Sequence, residues 1–282
     1  MSSIRDLAAR VAGPLGRILV VTDFDGTIAE IDPDPMAARI EPLARTALRR
    51  LGRFADRRPE RLSIAVLTGR AVSDVAPRVR VGGVHYIGNH GLETAWLPRH
   101  GRVGHLVADG SEATADGTSA RLARHVTTAL GNPDWMFVEL KGPSVAFHFR
   151  QASDWHEAGR RVAQAVEDGL AGSTAMERFD GRLNVELRPA GAGGKRGAMA
   201  RLIDELAPSS VLSLGDDRGD AEGFLVVRAA RSDGRVASGI SVGVHDRVAT
   251  PTEVLAAADV MLGSPREAAR LLAALATVLE RG

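Results

Sequence analysis

Two aspartates separated by one residue, Asp23 and Asp25, are the residues of this 282-residue chain best suited to chemistry. They follow Ile18 to Val21, an apolar run made mostly of β-branched residues, which predicts a strand buried on both faces of a parallel sheet. The crevice outside the carboxyl ends of such strands is where α/β proteins bind ligands. The alternative interpretation is a turn with two solvated acids.

Carboxylates this close repel each other, which favours a hard divalent cation, because such an ion takes oxygen ligands and offsets their charge. With a cation present, Asp23 could attack an electrophilic phosphorus as a covalent nucleophile. Asp25 would then be the proton donor and acceptor. The pair therefore predicts phosphoryl transfer at the end of this strand.

A hydroxyl and a lysine occupy comparable positions. Thr68 and Gly69 follow a predicted strand over residues 62–67, and a hydroxyl with accessible backbone amides before a helix suits an anion. Lys195 opens a predicted helix and is one of only two lysines among the 36 basic residues. A lysine kept in a chain so biased to arginine indicates a site that needs a compact ammonium. Chance survival of a surface lysine is the alternative.

A second acidic group follows a predicted strand over residues 211–214. It consists of Asp216, Asp217 and Asp220. A metal shared with Asp23 and Asp25 would need such a group at a neighbouring strand end. Taken singly, the group is equally typical of a turn with a helix cap.

Polar residues that suit a polyhydroxylated ligand follow the predicted strand over residues 86–88. Asn89, His90 and Glu93 are close enough in sequence to line such a ligand. They are also compatible with a turn whose polar groups satisfy one another. Both interpretations remain open at this stage.

The middle of the chain has a different pattern of elements. Residues 111–187 predict a helix, a pair of strands, a second helix and a second pair, which is an α+β unit with antiparallel pairing. Because side chains alternate along a strand, Glu139 and Lys141 share one face, as do Arg182, Asn184 and Glu186. That face predicts a sugar-binding surface. An ordinary solvated sheet face is the alternative.

Composition restricts the class of protein. The 44% hydrophobic content supports a real core, while a formal net charge of +1 and 4% aromatic residues give no support to a nucleic-acid surface. There is no cysteine, which fits a reducing compartment, and no stretch is long enough for a membrane span. We expect a soluble, cytoplasmic, monomeric protein with a small-molecule partner, without nucleic acid or membrane.

The order of these groups resembles the four motifs of the haloacid dehalogenase superfamily of phosphotransferring enzymes. The matching residues are Asp23-Phe-Asp-Gly-Thr, Thr68-Gly-Arg, Lys195 and Gly-Asp216-Asp217-x-x-Asp220. The resemblance implies a Rossmann-like, parallel-sheet α/β core with an α+β cap domain inserted between the second and third motifs. The expected bounds are 1–110 and 188–282 for the core and 111–187 for the cap.

Three segments resemble trehalose-6-phosphate phosphatases more closely. They are Asn89-His-Gly-Leu-Glu, Val138-Glu-Leu-Lys-Gly-Pro-Ser-Val-Ala-Phe-His-Phe-Arg150 and Asn184-Val-Glu-Leu-Arg-Pro. The resemblance implies Mg²⁺-dependent hydrolysis of trehalose 6-phosphate to trehalose and phosphate, through an aspartyl phosphate, in a core closed by a mobile cap. The alternatives are the same chemistry on another phosphorylated disaccharide, pseudo-disaccharide or glycosyl phosphate, and a non-catalytic regulator that binds a sugar phosphate.

The same resemblance assigns roles by position. Asp23, Asp216 and the backbone carbonyl of Asp25 would bind Mg²⁺, and Asp217 and Asp220 would support them. Catalysis would fall to Asp23, Asp25, Thr68 and Lys195, with the phosphate bound by Thr68, Gly69 and Lys195. The substrate-binding set would comprise Asn89, His90, Glu93, Glu139, Lys141, Arg182, Asn184 and Glu186.

Overall fold

A computed structural model describes residues 3–32, 34–100, 107–108, 117–181, 183–191, 193–245 and 250–282. The chain divides into a larger unit, residues 1–111 with 194–282, and a smaller unit, residues 112–193. The smaller unit extends past the expected boundary at residue 187, because its last strand continues to Pro189. The predicted fold class, a parallel-sheet α/β core with an inserted α+β unit, is confirmed.

The strands, in chain order, are β1 (Ile18–Thr22), β2 (Leu62–Leu67), β3 (Val84–Gly88), β4 (Glu93–Leu97), β5 (Val107–Ala108), β6 (Phe137–Lys141), β7 (Ser144–His148), β8 (Met176–Gly181), β9 (Asn184–Pro189), β10 (Ser210–Gly215), β11 (Ser238–Val244) and β12 (Val260–Leu262). The helices are α1 (Ile4–Ala12), α2 (Pro42–Arg57), α3 (Val72–Val79), α4 (Thr118–Ala129), α5 (Trp155–Leu170), α6 (Gly194–Leu206), α7 (Arg218–Ser232), α8 (Thr252–Ala257) and α9 (Pro265–Arg281). Short 3₁₀ helices lie at Pro35–Ala37 and Asn89–Gly91.

The larger unit contains an eight-stranded sheet in the order β12-β11-β10-β1-β2-β3-β4-β5, parallel from β12 to β3. Strands β4 and β5 continue the sheet in antiparallel fashion. The chain runs from β1 outward to β2 and β3, and returns on the other side of β1 at β10. The boundary between β1 and β10 is therefore a topological switch point, where open α/β sheets bind their ligands.

Strand β1 is apolar from Ile18 to Val21, and helices cover both faces of the sheet there. Ile18 and Val20 belong to a core shared with α1, α2, α3 and α9. Leu19 and Val21 belong to a second core shared with α6 and α7. Every residue of β1 is buried, as predicted for a central parallel strand.

The smaller unit is an antiparallel sheet in the order β6-β7-β9-β8, with α4 and α5 packed on one face. The Asp-Gly sequence at residues 180 and 181 predicts the turn of the β8–β9 hairpin, and this prediction is wrong, since both residues pair within the ladder. The chain instead reverses between Gly181 and Asn184, where Leu183 adopts a φ of +59°. Val185 and Leu187 then face the helices, and Asn184 and Glu186 face the opposite side, as the alternation predicted.

Within the described ranges, none of the helices combines the length and the apolar character that crossing a lipid bilayer requires.

Candidate active site

The acids of the first and fourth motifs meet at the switch point of the larger sheet. Strands β1 and β10 pair in parallel, with Thr22 opposite Leu214, so both strands end at the same edge. The Asp23 backbone N–H donates to the Leu214 carbonyl at 3.0 Å. Carboxylate oxygens of Asp23, Asp216 and Asp220 all lie within 4.8 Å of one another, and the three residues are buried. The structure thus brings together acids of the first and fourth motifs, as a metal shared between these motifs would require.

The loop after β1 approaches Asp216 closely. Gly26 has a φ of +74°, and a Cβ on it would overlap the Asp216 carboxylate. Thr27, in the same loop, is fully buried and donates its hydroxyl to Asp216 Oδ1 at 3.2 Å. The sequence Asp-Gly-Thr is thus needed to let the loop pass beside the acid and orient it.

Asp217 and Asp220 begin helix α7 as a capping box. The Asp220 N–H donates to Asp217 Oδ1 at 2.8 Å, and the Asp217 N–H donates to Asp220 Oδ2 at 3.2 Å. The Asp216 N–H also donates to Asp220 Oδ2, at 3.0 Å. The helix-cap interpretation is therefore confirmed, and the same residues stay candidates for a supporting role in the site.

Lys195 supplies the positive charge of this cluster. Its side chain is 1% exposed, and its Nζ lies 2.9 Å from Asp220 Oδ1, 3.2 Å from Asp23 Oδ1 and 3.3 Å from Asp217 Oδ2. Burial by itself lowers the pKa of the ammonium, but the charges of Asp217, Asp220 and Asp23 outweigh it and hold the pKa well above its usual value. Lys195 is therefore a fixed cation among carboxylates.

The carboxylates of this cluster outnumber its lysine. Burial, reinforced by Asp217 and Asp25 and opposed by Lys195, raises the pKa of Asp23 to about 7. Burial and the charge of Asp23 raise the pKa of Asp216 well above its usual range. A buried site that pushes its acids towards the neutral form in this way suits a hard divalent cation, which would take the same oxygens as ligands. The donor set thus fits the expected metal.

Asp217 behaves differently from its neighbours. Its side chain is 48% exposed, against 6% for Asp220. Partial burial raises its pKa, but Lys195, hydrogen bonding with Asp220 and the nearby His90 lower it more, so that the pKa lies below its usual range. Asp217 remains an anion and balances Lys195.

Asp25 points its carboxylate at an arginine. Arg70 Nε donates to Asp25 Oδ2 at 2.6 Å, and Arg70 Nη2 donates to Asp25 Oδ1 at 2.8 Å. The side chain of Asp25 is 37% exposed, whereas that of Arg70 is 12% exposed. The Asp25 carboxylate therefore has a different environment from the buried acids and is not among them.

Thr68 and Gly69 lie at the end of β2, next to β1. Thr68 is 1% exposed and its hydroxyl accepts the Arg70 N–H at 3.2 Å. A Cβ on Gly69 would lie 2.6 Å from His90 Nε2, so this glycine lets the imidazole approach the backbone. The two predicted phosphate-binding residues and His90 are thus neighbours.

Asn89 and Glu93 turn towards one another. Asn89 is fully buried and its amide donates to Glu93, whose other oxygen accepts the Val72 N–H at 2.8 Å at the start of α3. Asn89 and His90 have φ of +47° and +58°, a left-handed conformation that non-glycine residues rarely adopt. The geometry gives Asn89 and Glu93 a part in holding this turn.

The face of the smaller sheet opposite its helices carries a row of charged groups. The Lys141 ammonium lies 3.6 Å from Glu139 Oε2 and 3.7 Å from Glu186 Oε2. Ala146 lies opposite both glutamates in the ladder, and its small side chain leaves room for Lys141. The three predicted sugar-binding residues Glu139, Lys141 and Glu186 are therefore adjacent on one face.

Two further residues flank this row. Arg188 Nε donates to Glu186 Oε1 at 3.1 Å, and its guanidinium lies 4.3 Å from the centre of the Phe179 ring. His148 Nε2 lies 3.0 Å from Glu139 Oε2. Burial raises the pKa of Glu139, but His148 and Lys141 outweigh it and hold the pKa below its usual value.

The sequence analysis missed Arg70, Thr27, Arg188 and His148 as site residues. Strand alternation could have found Arg188, which shares a face with Asn184 and Glu186. Arg70 directly follows Thr68 and Gly69 in the second motif, and a bidentate arginine suits a carboxylate. Arg182, which was predicted to bind sugar, lies outside the described residues.

Solved structures with the same fold include trehalose-6-phosphate phosphatases. The C-terminal domain of the Candida albicans trehalose-6-phosphate phosphatase has a TM-score of 0.76 and 19% identity, covering 97% of this chain and 96% of that one. The C-terminal domain of the Candida albicans trehalose synthase regulatory protein has a TM-score of 0.67 and 13% identity, covering 95% of this chain and 97% of that one. At these identities the similarity establishes the fold alone.

Sequence relatives are closer. The trehalose-phosphate phosphatase of Mycobacterium avium (strain 104) is 33% identical over 274 residues, which is 93% of this chain and 63% of that protein. That of Mycobacterium tuberculosis (strain H37Rv) is 33% identical over 219 residues, covering 74% of this chain and 51% of that protein. The chain thus spans less than two thirds of the length of these relatives. The trehalose-phosphatase family model matches residues 21–254, and the chain therefore belongs to that family.

Proposed function

We propose that this chain is a phosphatase that hydrolyses trehalose 6-phosphate to trehalose and phosphate through an aspartyl-phosphate intermediate. The observation that carries the proposal is the buried cluster of Asp23, Asp216 and Asp220 around the Lys195 ammonium at the ends of two adjacent parallel strands. The family and the names of the relatives support the substrate.

The first step transfers the phosphoryl group to the protein. An Asp23 carboxylate oxygen forms a bond to phosphorus, and the bond between phosphorus and the sugar oxygen breaks. Asp25 gives its proton to the departing sugar oxygen, which would otherwise leave as a strongly basic alkoxide. Trehalose and an Asp23 acyl phosphate result.

The second step regenerates the protein. Asp25, now a carboxylate, takes a proton from a water molecule as the water oxygen attacks phosphorus. The bond between phosphorus and the Asp23 oxygen breaks, which returns Asp23 as a carboxylate and releases phosphate. Asp25 ends the cycle with the proton that it had at the start.

Fixed charges stabilise the transferring group. Lys195 balances charge on the phosphoryl oxygens, and the Thr68 hydroxyl donates a hydrogen bond to one of them. Mg²⁺, bound by Asp23, Asp216 and the backbone carbonyl of Asp25, would supply a further positive charge to the phosphate. Asp220 and Asp217 keep the ammonium and the helix start in place.

We assign sugar recognition to the charged row of the smaller unit. Neighbouring carboxylates and an ammonium offer both acceptors and donors, which is what adjacent hydroxyls require. Glu139, Lys141 and Glu186 are the members with direct support from geometry, and Asn184 shares their face.

Phosphate release tests the proposal. Purified protein with Mg²⁺ should release phosphate from trehalose 6-phosphate much faster than from glucose 6-phosphate. Faster release from another disaccharide or pseudo-disaccharide phosphate would move the assignment to that substrate. Binding of trehalose 6-phosphate without phosphate release would favour a regulator, a possibility raised by the fold similarity to a regulatory protein domain.

The expected monomeric state and cytoplasmic location stay predictions of this proposal. Light scattering of the purified chain would test the first, and fractionation of the source cells would test the second.

A further inference from the structure

We propose that Arg70 is a positioning residue: its guanidinium binds both oxygens of the ionised Asp25 carboxylate and so fixes the direction from which Asp25 takes the proton of the attacking water. The inference rests on the proposed function, in which Asp25 is the proton donor and acceptor.

The pair has the geometry of a fork. Arg70 Nε and Nη2 donate to the two oxygens of Asp25 at 2.6 and 2.8 Å. Two parallel hydrogen bonds keep the carboxylate in the plane of the guanidinium, whereas a single bond would leave it free to rotate. The direction of the Asp25 lone pairs is therefore set by where Arg70 lies.

Arg70 is itself held on its remaining side. Its Nη1 donates to Asp74 Oδ2 at 2.7 Å, on helix α3. The other oxygen of Asp74 accepts from Arg78 Nε at 2.8 Å, and the Arg70 guanidinium lies 5.4 Å from the centre of the Phe24 ring. Charges alternate along Asp25, Arg70, Asp74 and Arg78, so each group is compensated by the next.

The backbone of Arg70 joins the loops that carry the other site residues. Its N–H donates to the Thr68 hydroxyl at 3.2 Å, and its carbonyl accepts the Asn89 N–H at 2.8 Å. One residue therefore connects the loop after β1, through Asp25, with the ends of β2 and β3. A proton acceptor placed in this way keeps its orientation relative to the loop of Thr68.

The proposal predicts different effects on the two chemical steps for different leaving groups. A sugar oxygen needs a proton to leave, so formation of the aspartyl phosphate depends on the placement of Asp25. A p-nitrophenolate leaves without a proton, so that step proceeds even when Asp25 is misplaced. Hydrolysis of the aspartyl phosphate uses Asp25 in both cases.

The variants Arg70→Met and Arg70→Lys test it. With trehalose 6-phosphate, Arg70→Met should lower kcat by about 10²-fold, the usual contribution of a positioned general acid. With p-nitrophenyl phosphate it should keep a rapid burst of about one p-nitrophenolate per protein molecule, followed by slow turnover. Arg70→Lys keeps the charge but loses the fork, so its kcat should fall between Arg70→Met and the unmodified protein.

A matched control is available in the same unit. Arg50 also binds both oxygens of a carboxylate, that of Glu280, on helices α2 and α9. Arg50→Met should change kcat for both substrates by no more than about twofold, like other substitutions outside a site. Thermal melts of all variants show whether each is folded, and Arg70→Lys carries the test if Arg70→Met is not.

Two results would overturn the proposal. The first is a folded Arg70→Met variant with unchanged kcat for trehalose 6-phosphate. The second is an Arg70→Met variant in which the rate of the p-nitrophenolate burst and the steady-state rate decrease by the same factor. Failure of the proposed function would look different. The unmodified protein would then release no phosphate, or the Asp23→Asn variant would retain activity.

Discussion

The two charged clusters of this protein differ in their balance. In the larger unit, Lys195 pairs with Asp23, Asp217 and Asp220, and Asp216 lies beside Asp23 and Asp220. Three of these four acids have raised pKa values. In the smaller unit, Glu139 and Glu186 are matched by two full cations, Lys141 and Arg188, and by His148.

In the proposed function, this difference separates the cluster that performs the chemistry from the cluster that binds the sugar. Buried charge without a counter-charge is costly, so the larger cluster is stable as an anion only when a cation or protons occupy it. The smaller cluster compensates itself and can offer donors and acceptors to neutral hydroxyls without a further ion. Substitutions in the two clusters should therefore have opposite consequences for stability.

The largest expected effect follows the loss of the nucleophile. Asp23→Asn should lower kcat by at least about 10³-fold, because no covalent intermediate can form. The metal-free variant should nevertheless have a melting temperature no lower than the unmodified protein, since the substitution removes one of the mutually repelling acids. Kinetics and calorimetry on the same preparation measure both. Retained turnover in Asp23→Asn would disprove the nucleophile assignment.

Metal addition should stabilise the protein through the larger cluster. Mg²⁺ at a hundredfold its dissociation constant should raise the free energy of unfolding by about 2.7 kcal/mol. Asp216→Asn should lose most of this gain, whereas Glu186→Gln in the balanced cluster should keep it. Melting curves with Mg²⁺ and with EDTA provide the measurement. Equal gains in both variants would place the ion elsewhere.

The stabilisation of the protein by Mg²⁺ should depend on pH. The folded-state pKa of Asp23, about 7, is raised from the ordinary value of 3.8. In metal-free protein, the contribution of Asp23 to the free energy of unfolding is therefore complete below about pH 4 and is lost as pH rises through 7. Below pH 7, protons also compete with the metal for the Asp23 carboxylate. The increase in melting temperature caused by Mg²⁺ should be larger at pH 8 than at pH 6. The opposite order would contradict the cluster's role.

A smaller effect is expected in the smaller unit. Arg188→Met removes the guanidinium that binds both oxygens of Glu186, whose side chain is 5% exposed, and should lower the free energy of unfolding by about 2 kcal/mol. Arg178→Met is the matched control, because Arg178 pairs with the more exposed Glu167 and should cost less than about 1 kcal/mol. Urea denaturation compares them, and equal losses would refute the balanced-cluster account.

The strand ends were predictable from the sequence because parallel strands place their carboxyl ends at one edge. The apolar runs before Asp23 and before Asp216 were enough to predict that these two residues lie close together, as they do in the structure. The direction of a side chain in a loop carries no such periodicity. The bidentate Arg70–Asp25 pair and the inward turn of Asn89 depend on backbone angles that the residue types do not specify.

The register of the β8–β9 hairpin shows the same limit. An Asp-Gly pair is a common turn signal, but here Asp180 and Gly181 extend the ladder, and the turn moves to Leu183. The register is decided by the packing of Val185 and Leu187 against helices α4 and α5, since a slip of one residue would turn both side chains to the opposite face of the sheet. Tertiary burial therefore outweighs the local turn preference.

In the proposed mechanism, Asp23 carries the phosphoryl group between the two steps. The most direct test is mass spectrometry of Asp25→Asn protein, quenched with acid during reaction with p-nitrophenyl phosphate and Mg²⁺. We expect a phosphoryl adduct on the peptide that contains Asp23, and no adduct in the Asp23→Asn, Asp25→Asn double variant. An adduct on another residue, or rapid phosphate release by the unmodified protein with no adduct in either protein, would contradict it.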